Sequence, residues 1–474
     1  MKYWLISGGF LFISTIASAQ NLLGISTSRY GGTNRLYINP ALAADSPSRV
    51  FLNGFVGNIH ADNNYVRYQA PFSLLRFITG NVPDQYKNPD GSVQFDVNYT
   101  RENLDGSPKN GTLMGEVRGP AILIRPSDYS AFAVTTRFRG IGQVIGASQS
   151  LLSALRAGLG DKALYSIPTD NNKFNLNTNT YAELGLTYAG TLSENDGQKL
   201  LLGVTAKVLI GYNAQHFINR GANYRIVADP NNLNNAFLEI NQLDATLGYT
   251  TFLQNRSISP RTLFSTNSPG RGFGFDIGMT YINQYDTDSP ALRLGVALVD
   301  VGGLTYKGEQ YDYADIGQNP VRFTSSDFSR ITGSLDVLRN VQDKLNTGRT
   351  PDRTSFRAGL PTSLNVTADY QLPDGFGVNV TYFQDVRSKE ALSVHQPTML
   401  AVTPRYDARW LSLALPIAYI NHGLSAGASI RVGPAWLGTD NFLGLVGNSS
   451  NGIKPRGLDI YGGIAFGIGR VEED

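Results

Sequence analysis

Cysteine is absent from the 474 residues. That excludes disulfides, a lipidated N-terminal cysteine and cysteine-ligated metals, and it leaves the fold itself as the means of any membrane attachment. Histidine is scarce: His60, His216, His395 and His422 lie far apart, with no i,i+4 pair and no His-Glu-x-x-His helix, so metal catalysis has no motif to rest on. Charge is sparse and balanced, at 16% of residues with a net +2, which implies no steering toward nucleic acid. After the first residues no stretch reaches the ~18 consecutive apolar residues that mark a transmembrane helix. No internal repeat and no linker divides the chain, so one domain is expected.

What the chain does have is glycine (51), tyrosine (24) and phenylalanine (23), arranged in alternating runs. In the last run Leu458, Ile460, Gly462, Ile464, Phe466 and Ile468 fall on one face; Asp459, Tyr461, Gly463, Ala465, Gly467 and Gly469 fall on the other. Strands send successive side chains to opposite faces, so such a run suits either half of a soluble sandwich or the wall of a membrane barrel. The N-terminus separates the two. Lys2, an apolar run from Tyr3 to Ile16, and Ala17-Ser18-Ala19 before Gln20 read as a signal peptide over 1–19, too short to span as a helix. A secreted, Gly- and aromatic-rich chain of alternating runs suits an outer-membrane barrel with aromatic girdles.

The expected division is a signal peptide (1–19), an irregular lead-in or plug (20–47), a barrel (48–470) and a short tail (471–474). Strand-like runs are expected at Val50–Ile59, Tyr65–Ile78, Thr112–Arg125, Tyr129–Arg139, Tyr181–Leu192, Lys199–Ile210, Leu243–Leu253, Gly272–Tyr285 and Ala291–Val301. Others follow at Thr362–Tyr370, Phe376–Gln384, Thr398–Arg405, Leu411–Ile420, Leu424–Val432 and Leu458–Gly469. Bacterial barrels favour even numbers, so the fold class expected is all-β: a transmembrane antiparallel barrel of about 14 strands. Helical spacing appears twice, at Ser148–Ala157 and at Asp327–Leu345, as short helices in loops.

Tyr37-Ile38-Asn39-Pro40-Ala41 resembles the Asn-Pro-Ala signature of FadL-like outer-membrane transport barrels. Gly272 to Gly278, the stretch containing Val299-Asp300-Val301-Gly302, and Leu360-Pro361-Thr362 resemble strands shared by those barrels and PorV-like proteins. Arg431-Val432-Gly433-Pro434 with Gly438-Thr439-Asp440-Asn441 is similar to a Bacteroidota barrel family of unassigned function. The resemblance implies a cell-outer-membrane barrel whose N-terminal segment, with Asn39, Pro40 and Ala41, reaches into the lumen. Two departures are the ending Val471-Glu472-Glu473-Asp474 in place of a terminal aromatic, and no peptidoglycan-binding domain after the barrel.

Charges on the polar strand faces are the candidate lumen-lining residues: Glu183, Lys207, Asp276, Arg293, Asp369 and Arg431. On the lipid side each would cost ~2–4 kcal/mol near the midplane, so phase assigns them to the interior. They either pair as structural ion pairs, stay solvated in a pore, or line a solute path. No Ser-His-Asp arrangement is marked out, so no enzyme and no cofactor are expected. Two functions remain: passage or binding of small solutes, hydrophobic ones included, or a non-transporting barrel subunit of a secretion or motility assembly. The expected partners are outer-membrane lipid, such solutes, and in the second reading other outer-membrane or secretion proteins, with no nucleic acid.

Overall fold

A computed structural model describes residues 22–470, except 95, 251–266, 287, 315–319, 325–326, 328–342 and 346–349. The expected signal peptide, the C-terminal tail and nearly all of the expected helix 327–345 lie outside the described residues.

Fourteen antiparallel strands close into a barrel. They are β1 (Ser48–Asn63), β2 (Lys109–Arg118 and Ala121–Ser127), β3 (Ser130–Ala147), β4 (Thr169–Asn195), β5 (Gln198–Asp229) and β6 (Asn232–Tyr249 and Gly270–Asn283). Next come β7 (Ala291–Tyr313), β8 (Arg353–Gly359 and Ser363–Gln371), β9 (Phe376–Asp385) and β10 (Met399–Asp407). The last four are β11 (Leu411–Ala414 and Ile417–Ile420), β12 (Gly423–Ala426 and Ala428–Val432), β13 (Ala435–Thr439) and β14 (Gly457–Arg470). Closure is the pairing of β14 with β1, from Ser48↔Arg470 to Asp62↔Gly457. It leaves no sheet edge in the membrane.

The alternation read from sequence sets which face meets lipid. On β5, Leu202, Val204 and Val208 are exposed, while Thr205 and Lys207 between them are buried. On β6, Phe273, Phe275, Ile277 and Met279 point out while Asp276 and Thr280 point in. An outward apolar belt round a closed barrel is the outer-membrane architecture. Tight turns join β2–β3, β4–β5 and β12–β13 at the end that also holds Ser48 and Arg470, which marks it as the periplasmic side; the long loops lie outside. No helix among the described residues is long and apolar enough to cross a membrane.

Three differences from the sequence reading have local causes. Tyr65–Ile78 is not a wall strand: only Val66–Tyr68 is extended, paired with Thr100–Glu102, and Ser73 caps a helical turn over Leu74–Ile78. Ala435–Thr439 is a wall strand too short for its alternation to register. The outer ends of β4 to β7 run well beyond the lipid belt, and residues 211–219 of β5 are buried on both faces, which erases the period of two. The expected helix near 148–157 is present as Gln149–Arg156, capped by Ser148 Oγ accepting from Leu151 N–H (3.3 Å).

Candidate functional site

The lumen is filled by residues 22–47. Short helical turns over Leu23–Ser26, Arg29–Tyr37 and Pro40–Ala43 follow one another from the outer half of the barrel down to β1. The start is tied near Asp440, which accepts from Leu23 N–H (3.1 Å), and near Tyr461, whose hydroxyl oxygen accepts from Gly24 N–H (3.1 Å). The end is tied at Asn39-Pro40-Ala41. Asn39 Oδ1 accepts from Ala41 N–H (3.0 Å), capping the turn that Pro40 begins. Its Nδ2 donates to the wall at Met279 O (3.0 Å) and Thr280 Oγ1 (3.1 Å). Glycine in the wall makes this fit: a Cβ on Gly203 would stand 2.3 Å from Ala41 N, and one on Gly278 2.1 Å from Asn39 Oδ1.

Two ion-pair clusters hold the middle. In the first, Arg137 binds Glu183 (2.6 Å), Asp300 (3.1 Å) and Glu116 (3.6 Å). Arg139 binds Asp300 (2.6 Å) and Glu116 (3.2 Å), and Lys207 binds Asp276 (2.7 Å) and Asp300 (2.5 Å). Arg118 completes it on Glu116. Four cations thus face four carboxylates, all buried. Tyr37 of the plug is held between Arg118 and Arg137, each guanidinium 4.3 Å from the ring centroid. Asp300 reaches the cluster through a bulge: Val299 and Asp300 oppose the single Asp276, and Asp300 takes φ 54°. Its N–H donates to Asp276 Oδ1 (2.7 Å) and its carbonyl accepts from Thr362 Oγ1 (2.7 Å).

The second cluster begins and ends on the plug. Arg35 binds Asp45 (2.7 Å), Asp45 binds Arg293 (3.2 Å), Arg293 stands 3.9 Å from Asp369, and Arg405 joins Asp369 (2.6 Å) to Asp407 (2.8 Å). Asp407 then accepts from Ser28 Oγ (2.7 Å) and Arg29 N–H (3.1 Å). The structure therefore places Glu183, Lys207 and Asp276 in the first cluster and Arg293 and Asp369 in the second. Arg431 joins neither; it lies 4.8 Å from the Tyr30 ring and donates to Ala408 O (2.6 Å). Sequence reasoning did not count Glu116, Arg137, Arg139, Arg405 or Asp407, or Asp45 on the plug, among the lumen-lining charges, and it named Asp300 only within a motif of resemblance. For the wall residues a signal existed, since Glu116, Arg137 and Arg139 alternate with uncharged neighbours as Glu183 does.

The outer part of β9 to β11 is different. Phe383, Met399, Ala401, Ala418 and Ile420 point inward and pack on Leu23 and Ile38 of the plug. Beside them Leu22 and Ile25 meet Trp436 and Val56. In the same sector β13 stops at Thr439, and the helical turn Phe442–Val446 stands between β12 and β14. Leu445 is buried, while Phe442 (49%) and Leu443 (47%) are exposed.

A closed barrel with an apolar belt and a lumen filled by its own N-terminal segment defines an outer-membrane β-barrel protein. Within that class the chain belongs to DUF5723, a family of unknown function, which it matches over residues 40–440. No curated protein matches it. Among solved structures it is similar to the toluene transporter TbuX of Ralstonia pickettii, at 11% identity and TM-score 0.38 over 93% of this chain and 96% of that one. It is similar also to the P. putida toluene transporter TodX, at 10% identity and TM-score 0.40 over 96% of each chain. A Pseudomonas aeruginosa FadL homologue matches at 10% identity and TM-score 0.26, over 95% of this chain and 98% of that one. At such distances the likeness carries no inference about cargo.

Proposed function

We propose that this barrel passes small hydrophobic solutes across the outer membrane by way of the apolar tract on the outer part of β9 to β11. The observation that carries the reading is the split of the lumen. Ion pairs close the wall of β2 to β8 and the periplasmic end of β10, where an apolar solute gains nothing, and the outer part of β9 to β11, with Trp436 of β13, sets Phe383, Met399, Ala418, Ile420 and Trp436 against Leu22, Leu23 and Ile25. Apolar contact there is exchangeable: a solute can replace plug side chains without stranding a buried charge. The helical turn Phe442–Val446 replaces a hydrogen-bonded strand beside this tract, so the wall is held there by fewer ladder bonds than elsewhere.

The test is uptake of an alkylbenzene into vesicles whose outer leaflet is lipopolysaccharide. The protein accelerates uptake, and Leu23→Asp, which puts a charge into the apolar tract, slows it. A barrel that leaves uptake at the protein-free rate refutes the reading.

A further inference from the structure

Above the first ion-pair cluster the inward faces of β4, β5, β7 and β8 carry uncharged polar groups and aromatic rings. Asn177 pairs with His216 and Asn179 with Ala214 in the β4–β5 register, so the three polar side chains share one face within about 7 Å, two residues' rise along a strand. All three are fully or almost fully buried. Asn177 Oδ1 lies 2.8 Å from His216 Nδ1, and an amide oxygen only accepts, so Nδ1 carries the proton and Nε2 presents a lone pair. Asn179 Oδ1 accepts from the Tyr306 hydroxyl (2.6 Å). What is left over is specific: Asn177 Nδ2, Asn179 Nδ2 and His216 Nε2 have no partner. Phe356 closes the site, edge-on to the His216 ring (6.4 Å) and stacked on Tyr306 (5.8 Å, 21°).

Its roof is the segment joining β9 to β10, which folds across the lumen. Gly359 N–H donates to Leu392 O (2.9 Å), Asn175 Nδ2 to Lys389 O (2.6 Å), and His395 exchanges two hydrogen bonds with Gln143 of β3 (2.6 and 2.7 Å). Leu392 packs against the cluster that contains Tyr306 and Phe356. Below the roof, the cleft lined by Tyr37, Arg137, Asp300 and Gln396 has room for about 10 Å³, about one water molecule.

We propose that Asn177, Asn179 and His216, with Phe356 and Tyr306, form a binding site for a small uncharged ring compound bearing a hydroxyl group, of the phenol class, which enters when residues 386–398 lift and takes the place of Leu392. One hydroxyl has one donor and two acceptor positions, the complement of one imidazole lone pair and two amide donors. The ring lies on Phe356, and the absence of a charged side chain among the unpaired groups selects a neutral ligand. The inference goes beyond the solute-passage reading by naming a site on a different sector of the wall, and binding to detergent-solubilised protein is measured without passage, so the two fail separately.

The experiment is equilibrium binding of phenol and of toluene to the purified full-length protein, with His216→Phe and Asn177→Leu as variants and heat-modifiable gel migration as the check that each barrel has closed. Phenol is expected to bind at least tenfold tighter than toluene to the wild type. His216→Phe keeps the ring and loses the acceptor, so it brings phenol to the level of toluene and leaves toluene unchanged; Asn177→Leu does the same in part. Equal binding of the two compounds by the wild type, no binding of either, or a phenol preference that survives in both variants overturns the proposal.

Discussion

Replacing Arg137 with Met measures whether the lumen is dry. Arg137 is the ion-pair partner of Glu183 and a face of the Tyr37 sandwich, whereas Asp300 and Glu116 keep Arg139 when it is gone. The substitution keeps an unbranched stem and leaves three cations against four carboxylates, with Glu183 stranded at 2% side-chain exposure. Removing one member of a buried pair costs ~3–5 kcal/mol, and the lost cation–π contact adds roughly 1 kcal/mol. If water filled the lumen the same charges would interact with only about 1 kcal/mol at 4 Å. Arg137→Met with Glu183→Gln restores the balance and is expected to recover more than half of the loss. The assay is urea unfolding in lipid, followed by the fluorescence of Trp410 and Trp436. A cost below about 1 kcal/mol for Arg137→Met, or a double variant no better than the single one, refutes the dry, paired interior.

Gly278→Val drives a side chain into Asn39 Oδ1 and is expected to free the plug while the barrel still closes, seen as ion conductance in planar bilayers where the wild type has little. Val204→Lys puts a charge on the lipid face and costs ~2–4 kcal/mol if Val204 lies near the midplane, whereas Thr205→Ser beside it, facing inward, costs under ~1 kcal/mol. In the outer extension, Leu151 packs with Tyr224, Ile226, Leu238 and Phe323. Leu151→Ala is expected to cost ~2–5 kcal/mol locally and to expose the 229–232 hairpin to protease without altering gel migration of the barrel. Burial pushes the Glu239 carboxyl up, but hydrogen bonds from Arg225 (2.8 Å) and Arg322 (2.8 Å) outweigh it and hold the group below the usual range. A depressed carboxylate stabilises above its unfolded pKa and loses that stability as pH falls through its folded value. Protease cutting in this extension should therefore rise on acidification below the ordinary glutamate range, and Glu239→Gln should remove the dependence.

Strand phase was legible from sequence because hydrocarbon on one side and a polar interior on the other force a period of two wherever a strand crosses the belt, as at Leu202 to Val208 and Phe273 to Met279. That same physics assigned Glu183, Lys207, Asp276 and Asp369 to the interior. It failed where both faces are covered by protein, as along 211–219, and where a strand is too short to show a period, as at Ala435–Thr439. The pairing of those charges was beyond it. Arg137 and Asp300 meet 163 positions apart, and Asp300 arrives only through a bulge, so the neutral four-against-four cluster exists because barrel closure brings β2 to β7 round one axis. The fit of Asn39-Pro40-Ala41 against Gly203 and Gly278 is likewise a matter of shape between distant segments. Local chemistry decided which side of each strand turns away from lipid; closure decided which charges meet there.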